Sequence, residues 1–175
     1  MTTLYRAFLL ATLATVQVLA GAPVQAASPL IVAVPDIGFS DSSGEAKNQD
    51  ADHRQRLHAL ADGLRADIAK DGQVASLALS CGTMPCRLDG GEVGRLRSQA
   101  HDAGAAFIVL CGVHKMSTLV MAMKVDVFEV DSGRLVTSKL LSFRGDNDEG
   151  WRRAGVFVAQ EVADAIAKPS GAAPR

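Results

Sequence analysis

The chain has 175 residues, of which 48% are hydrophobic and 21% are charged, and its formal net charge at pH 7 is −1. Because there is no basic surplus, the composition argues against binding to nucleic acid or to an anionic membrane surface. One Trp and one Tyr offer few stacking surfaces for bases or sugars. The length suits one globular domain with a core of its own.

Residues 1–26 have the pattern of a secretory signal peptide. Arg6 supplies a positive charge, the apolar run Ala7–Ala20 follows, and Ala26 closes a segment of small residues of the kind that signal peptidase cleaves. The alternative is an uncleaved anchor, but the run is shorter than the ~20 apolar residues that a spanning helix needs. We therefore expect a periplasmic protein with no stable membrane insertion after cleavage, and loss of Arg6 takes its formal charge from −1 to −2.

The first half of the remaining chain alternates between strand and helix patterns. Short apolar runs predict strands at Leu30–Val34 and Gln73–Leu79, separated by a polar loop at Asp36–Asp50 and a helix at Ala51–Asp71. A second, weaker helix pattern covers Gly91–Ala103. The first helix has one apolar stripe at helical spacing, formed by Leu57, Leu60, Ala61, Leu64 and Ile68.

The second half reads as three consecutive strands and a helix. Phe107–Cys111 is a continuous apolar run, and apolar residues then recur at every second position from Leu119 to Val127. Gly133 marks a turn, and Leu135–Phe143 returns as the partner strand. A final helix is predicted at Gly150–Lys168.

This order of elements predicts one α/β domain at residues 27–168, followed by a disordered tail at residues 169–175. We expect a mixed sheet of about five strands with helices mainly on one face, in the order β-α-β-α-β-β-β-α. The last three strands would supply its antiparallel part.

Cys81 and Cys86 are separated by four residues in a predicted loop. In an oxidising compartment this pair favours a disulfide. The alternatives are weaker, because a metal site needs more ligands and a redox dithiol normally has the C-x-x-C spacing. Whether the two are paired stays open, and Cys111, inside an apolar run, is predicted to be an inert core thiol.

No other motif indicates chemistry. The acidic residues Asp146, Asp148 and Glu149 lack the spacing of a calcium loop and are better read as the start of the last helix. His114 and nearby methionines suit Cu(I), but alternation along one strand would send them to opposite faces. With no G-x-S-x-G and no phosphate loop, we predict no cofactor, no metal and no enzymatic activity.

Two segments carry a resemblance. Gly112–Leu119 reads G-x-x-K-x-S-x-L, and Arg144–Trp151 reads R-G-x-x-D-x-x-W. In these motifs the chain resembles an uncharacterised family of exported bacterial proteins with a domain of unknown function, which implies no activity. More distantly, Ala61–Arg65 and Gly104–Val109 are similar to segments of TolB N-terminal and CsgG-like envelope domains, which implies binding to other envelope proteins.

The sequence therefore favours a non-enzymatic periplasmic binding or accessory protein of envelope assembly, which acts through contacts with an envelope protein. The alternative is a small-ligand or metal carrier serving an exported oxidoreductase, with the Asp36–Asp50 loop and Arg144–Trp151 as its binding loops. The oligomeric state is left open. The residues proposed for the interaction loop are Lys115, Ser117, Arg144, Asp146, Asp148 and Trp151.

Overall fold

The structure, a computed structural model, describes residues 28–82, 86 and 88–167. The predicted signal peptide and C-terminal tail lie outside these residues. The described part contains three helices, α1 (Asp50–Ile68), α2 (Gly90–Asp102) and α3 (Asp148–Ala167). Its six strands are β1 (Leu30–Pro35), β2 (Gly38–Asp41), β3 (Val74–Leu79), β4 (Phe107–Lys115), β5 (Val120–Glu129) and β6 (Leu135–Arg144).

All six strands belong to one mixed sheet in the order β3-β1-β4-β5-β6, with β2 also pairing with β4. β1 is parallel to β3 and to β4, and these connections run through α1 and α2, because parallel neighbours need a crossover. β4, β5 and β6 form an antiparallel meander, whose second turn has Gly133 at φ 69°. The predicted mixed α/β sheet is confirmed, and β6 is its outermost strand on this side.

The segment predicted as one long loop, Asp36–Asp50, instead contains β2. β1 pairs with the start of β4, and β2 then pairs with its end, from Gly38 opposite Gly112 to Asp41 opposite Lys115. Gly38 is needed here, since a Cβ atom would lie 2.9 Å from the Cys86 carbonyl oxygen. The loop prediction was wrong at residues 38–41, because four residues without apolar alternation carry no strand pattern.

The helices divide between the two faces of the sheet. α1 and α3 pack on one face and enclose the larger core, which includes Leu57, Met121 and Val158. α2 packs on the other face through Leu96 and neighbours. Two helices on one face and one on the other confirm the predicted arrangement.

The three cysteines occupy two environments. Cys81 and Cys86 form a disulfide with Cα atoms 5.4 Å apart, and both are buried. It ties the end of β3 to the segment that leads into α2, as the oxidising-compartment reasoning favoured. Cys111 lies in the larger core, where burial, with a contribution from the charge of Asp126, raises its pKa to about 12. It is therefore a poor nucleophile, as predicted.

Candidate functional site

A buried group of charged side chains lies where β4 ends and α3 begins. It consists of Glu45, His53, Arg56, Lys115 and Asp146, and we call it the Asp146 cluster. Glu45 comes from the segment between β2 and α1, His53 and Arg56 come from α1, and Asp146 comes from the turn after β6. Segments distant in sequence therefore meet at one point.

Lys115 is the deepest cation of the cluster. Odd-numbered residues of β4, such as Cys111 and Val113, face the larger core, so the last residue of the strand points the same way. The Lys115 side chain is only 1% exposed, and its amine lies 2.8 Å from Asp146 Oδ2 and also contacts Glu45 Oε2. Burial alone would lower the pKa of Lys115, but its hydrogen bonds to Asp146 and Glu45 outweigh this and raise the pKa.

Asp146 accepts four hydrogen bonds and its side chain is 5% exposed. Its Oδ2 receives the Lys115 amine and His53 Nε2, each at 2.8 Å. Its Oδ1 receives Arg56 Nη1 at 3.0 Å and Trp151 Nε1 at 3.1 Å. Burial would raise the pKa of Asp146, but the hydrogen bonds from Lys115 and His53 prevail and lower it to about 2. The carboxylate is therefore ionised at any physiological pH, and His53 carries its proton on Nε2.

Aromatic side chains close this cluster off from water. Trp151, 2% exposed, has its ring centre 6.2 Å from those of His53, Phe39 and Phe143. Phe39 lies 4.5 Å from the His53 ring. Excluding water in this way strengthens the ion pairs inside.

The start of α3 is built into the same corner. The Gly150 N–H donates to Asn147 Oδ1 at 2.9 Å, so Asn147 acts as the N-cap of α3. Asp148 lies in the first turn with its side chain 85% exposed and accepts from Arg56 Nε at 2.9 Å. A Cβ atom on Gly150 would collide with the carbonyl oxygens of Gly145 and Arg144, so glycine lets the turn and the helix pack closely.

Four of the six residues predicted for the interaction loop come together here: Lys115, Asp146, Asp148 and Trp151. Ser117 lies apart, in the turn between β4 and β5, where its hydroxyl accepts the Val120 N–H at 3.2 Å. Arg144 lies at the end of β6. The side chains of Lys115, Asp146 and Trp151 are buried. Of the six residues predicted for the interaction loop, Arg144 and Asp148 are the exposed ones.

Sequence reasoning missed Glu45, His53 and Arg56. No spacing links these residues to Asp146, some 90 positions away in the case of Arg56. The two polar segments proposed as ligand loops do meet, since both Glu45 and Asp146 contact the Lys115 amine. Their charges neutralise one another, however, and the two carboxylates hold the Lys115 amine protonated, which leaves it without a lone pair for nucleophilic attack. The ion pairs of the cluster hold together segments that are distant in sequence, which is a structural role.

Within the described ranges, the residues that could group around a metal ion are Cys81, Cys86 and Glu92. The two sulfur atoms are bonded to each other, so they are not available as thiolates. Glu92 is moreover paired with Arg95. This trio therefore does not have the donor set of a metal site.

The outer edge of β6 is a second candidate site, which we call the β6 edge. The Gly145 N–H donates to the Leu119 carbonyl at 3.1 Å, so these two residues form a hydrogen-bonded pair. In an antiparallel ladder, hydrogen-bonded pairs alternate with pairs whose backbone groups point away from each other. The backbone groups of Ser138, Leu140, Ser142 and Arg144 therefore point away from β5. Leu140 is 75% exposed and Leu135 47% exposed, and Phe157 of α3, beside this edge, is 53% exposed.

The architecture and the sites define a class: an α/β protein with one mixed sheet, a buried network of ion pairs and an unpaired edge strand. Residues 31–162 match DUF3280, a family described as a protein of unknown function (DUF2380), and the chain belongs to this family. The predicted membership of a domain of unknown function is thereby confirmed. No curated protein matches the chain. Among the described helices, none combines the length and apolar character needed to cross a membrane.

Solved structures share the fold at low sequence identity. The hypothetical protein CT253 from Chlamydia trachomatis is 9% identical over 79% of this chain and 98% of its own, with a TM-score of 0.52. The PelC dodecamer from Paraburkholderia phytofirmans is 14% identical over 81% and 91%, with a TM-score of 0.50. TolB from Acinetobacter baumannii, the more distant resemblance, aligns over 85% of this chain and 30% of its own at 16% identity, with a TM-score of 0.48.

Proposed function

We propose that this protein is a non-enzymatic accessory protein of the periplasm, which acts by binding a protein partner of the cell envelope along the β6 edge. The observation that carries this proposal is the combination of unpaired backbone groups and exposed apolar side chains on one strand. Leu140, the most exposed large apolar residue of the described part, lies in the middle of that strand.

An unprotected edge strand is a template for another strand. Proteins usually guard such edges with proline, with bulges or with inward charges. β6 has ten residues and no proline, and its register shift lies at its beginning, opposite Val127 and Phe128. Lys139 is its one charge in mid-strand and is paired with Glu161 at 3.0 Å. Strand addition uses main-chain hydrogen bonds for affinity, and such an edge provides them.

Other observations agree with this function. The signal sequence expected at residues 1–26 favours an exported protein. The Asp146 cluster is saturated and suits a stable scaffold better than a reaction centre. PelC, which shares the fold, is a dodecamer, so a domain of this architecture is compatible with an assembly role.

A crosslinking capture of the tagged mature protein from its own periplasm tests the proposal. We compare wild type with Ser142→Pro, which removes an outward N–H, and with Ser142→Ala, which keeps it. Wild type and Ser142→Ala should capture one dominant protein, and Ser142→Pro should lose it while its circular dichroism and Tm stay close to those of wild type. Leu140→Glu serves as a second edge variant if the proline variant does not fold. Undiminished capture by a folded edge variant would contradict the proposal.

A further inference from the structure

We infer that the partner presents to the β6 edge an extended segment in which an acidic side chain stands beside apolar ones. This inference rests on the proposed function and names the chemistry of the segment that the edge accepts.

A groove runs between β6 and α3, directly beside the unpaired edge, and has a volume of about 420 Å³. We call it the β6–α3 groove. Its walls are largely apolar, formed by Leu141 and Phe143 of β6 and by Ala154 and Phe157 of α3. The size is within the range of pockets that hold ligand side chains. Because Phe157 is 53% exposed, an apolar side chain placed here would remove its ring from water.

One end of this groove is positively charged. Arg144 and Arg153 both line it. Arg144 makes no ion pair or side-chain hydrogen bond to any residue in the described part of the chain. Arg153, 68% exposed, approaches Glu149 at 3.5 Å, but that carboxylate already accepts two hydrogen bonds from Arg152 at 2.8 Å. Arg153 therefore has spare donors beside the groove, and Arg144, an even-numbered residue of β6, has spare donors at the same end of the strand.

Strand geometry connects the two features. In a strand added to β6, residues opposite Leu141 and Phe143 point to the same face as these two, toward the groove. Their neighbours in the added strand point to the other face, where the even-numbered residues of β6 lie. An acidic residue one or two positions from the apolar one thus comes within reach of Arg144 or Arg153, and arginine binds carboxylates with two parallel hydrogen bonds.

Charge argues against a second copy of this chain as the occupant. The only charged residues of β6 are Lys139 and Arg144, both basic, so the same strand of another copy would offer no carboxylate to Arg144 or Arg153. A segment rich in lysine or arginine is disfavoured for the same reason. An acidic, partly apolar segment complements both the charge and the wall of the groove.

The test uses a phage-displayed library of random dodecapeptides, panned against the purified mature protein. Enriched sequences should alternate apolar residues and carry Asp or Glu within two positions of one. A synthetic copy of the most enriched peptide should bind Arg144→Glu/Arg153→Glu about tenfold more weakly than wild type, because attraction becomes repulsion. The matched control is Arg54→Glu on the exposed surface of α1, which should bind like wild type. Replacing the peptide's acid with Lys should restore binding to the doubly reversed variant.

Absence of any enriched sequence, enrichment without acidic residues, or binding unaffected by the double reversal would each overturn the inference. These outcomes are separable from failure of the proposed function. If peptides bind without charge dependence and Ser142→Pro abolishes that binding, the edge function stands and the acidic requirement fails. If folded Ser142→Pro captures the periplasmic partner undiminished, the edge function itself fails.

Discussion

Lys115 is a lysine almost completely withdrawn from water, a position that is stable only when carboxylates accompany the ammonium group. Asp146 and Glu45 fill this role, and Asp146 binds His53 and Arg56 as well. Such a network adds little over a well-packed apolar core, but losing one member leaves the others buried without a partner. Asp146 is the member on which most of the contacts converge.

We expect Asp146→Asn to lower the free energy of unfolding by about 3 kcal/mol, as for other broken buried ion pairs. The cause is that Lys115 and Arg56 stay buried after their shared negative charge is removed. Urea unfolding followed by circular dichroism measures the loss. Asp148→Asn is the control, because this side chain is 85% exposed and its pair with Arg56 contributes little. Equal losses in the two variants would show that burial of the network is unimportant.

Only part of this cluster could be predicted from the sequence. Lys115 and Asp146, with the neighbouring Asp148 and Trp151, fall inside the two motifs that led to their selection, but the motifs do not show that the two segments meet. Glu45 lies in a segment with no distinctive pattern. His53 lies one turn before Leu57 on the apolar stripe of α1, but only the tertiary fold brings it and Glu45 to Asp146. Parity along β4 shows that Lys115 shares a face with Val113, but burial of a lysine contradicts the usual preference of that residue for the surface.

At the scale of elements, the join between β6 and α3 sets the geometry of the cluster. The helix starts so close to the preceding turn that a side chain at Gly150 would meet the Gly145 and Arg144 carbonyls. Backbone atoms cannot move aside as the end of a flexible side chain can. Position 150 therefore requires glycine because a Cβ atom has no room there, although alanine has the higher helix propensity.

Gly150→Ala should accordingly destabilise the protein by roughly 1–3 kcal/mol, as overpacking does. Gly63→Ala is its counterpart within α1, where a Cβ atom would meet nothing within 4 Å. There the better helix former should raise the free energy of unfolding by about 0.5–1 kcal/mol. Thermal or urea unfolding of both variants decides the matter. A stabilised Gly150→Ala protein would contradict the close packing described for this turn.

The elements with strong patterns were the predictable ones. Alternation around Met121 and Met123 and the apolar run Phe107–Cys111 predict β5 and β4 correctly, because one buried face imposes a period of two. β2 was missed because a strand of four residues with one large apolar side chain, Phe39, is too short to show an alternating pattern. Its Gly38 is buried through a close approach to Cys86, which no local pattern signals.

For the whole molecule, the pKa values give a direction to the dependence of stability on pH. The pKa of Asp146 is about 2 in the folded protein against an ordinary 3.8, so the unfolded chain takes up the proton first as pH falls. Stability from this carboxylate is thus complete above about pH 4 and is lost as pH falls through about 2. The pKa values of Glu45, Glu129 and Glu149 are also lowered and act in the same sense.

We therefore expect the free energy of unfolding of the wild type to fall more steeply than that of Asp146→Asn between about pH 4 and about pH 2. The variant has no carboxylate at this position, so its remaining loss comes from other acids. Urea midpoints measured at several pH values in this interval provide the comparison. Parallel curves for the two proteins would show that Asp146 has an ordinary pKa when folded.

Along β6, backbone groups that point outward alternate with groups that pair with β5. This alternation affects how the choice of binding partner at the edge can change by mutation. The backbone groups of Ser138, Leu140, Ser142 and Arg144 point outward whatever side chains they carry, so the main-chain contribution to affinity is insensitive to mutation. Selectivity would come instead from the side chains beside that edge, which include Arg144 of β6 as well as Arg153 and Phe157 of α3. If a partner binds along β6 in this way, substitutions on α3 would change which partner is preferred while the outward backbone groups of the strand stay as they are.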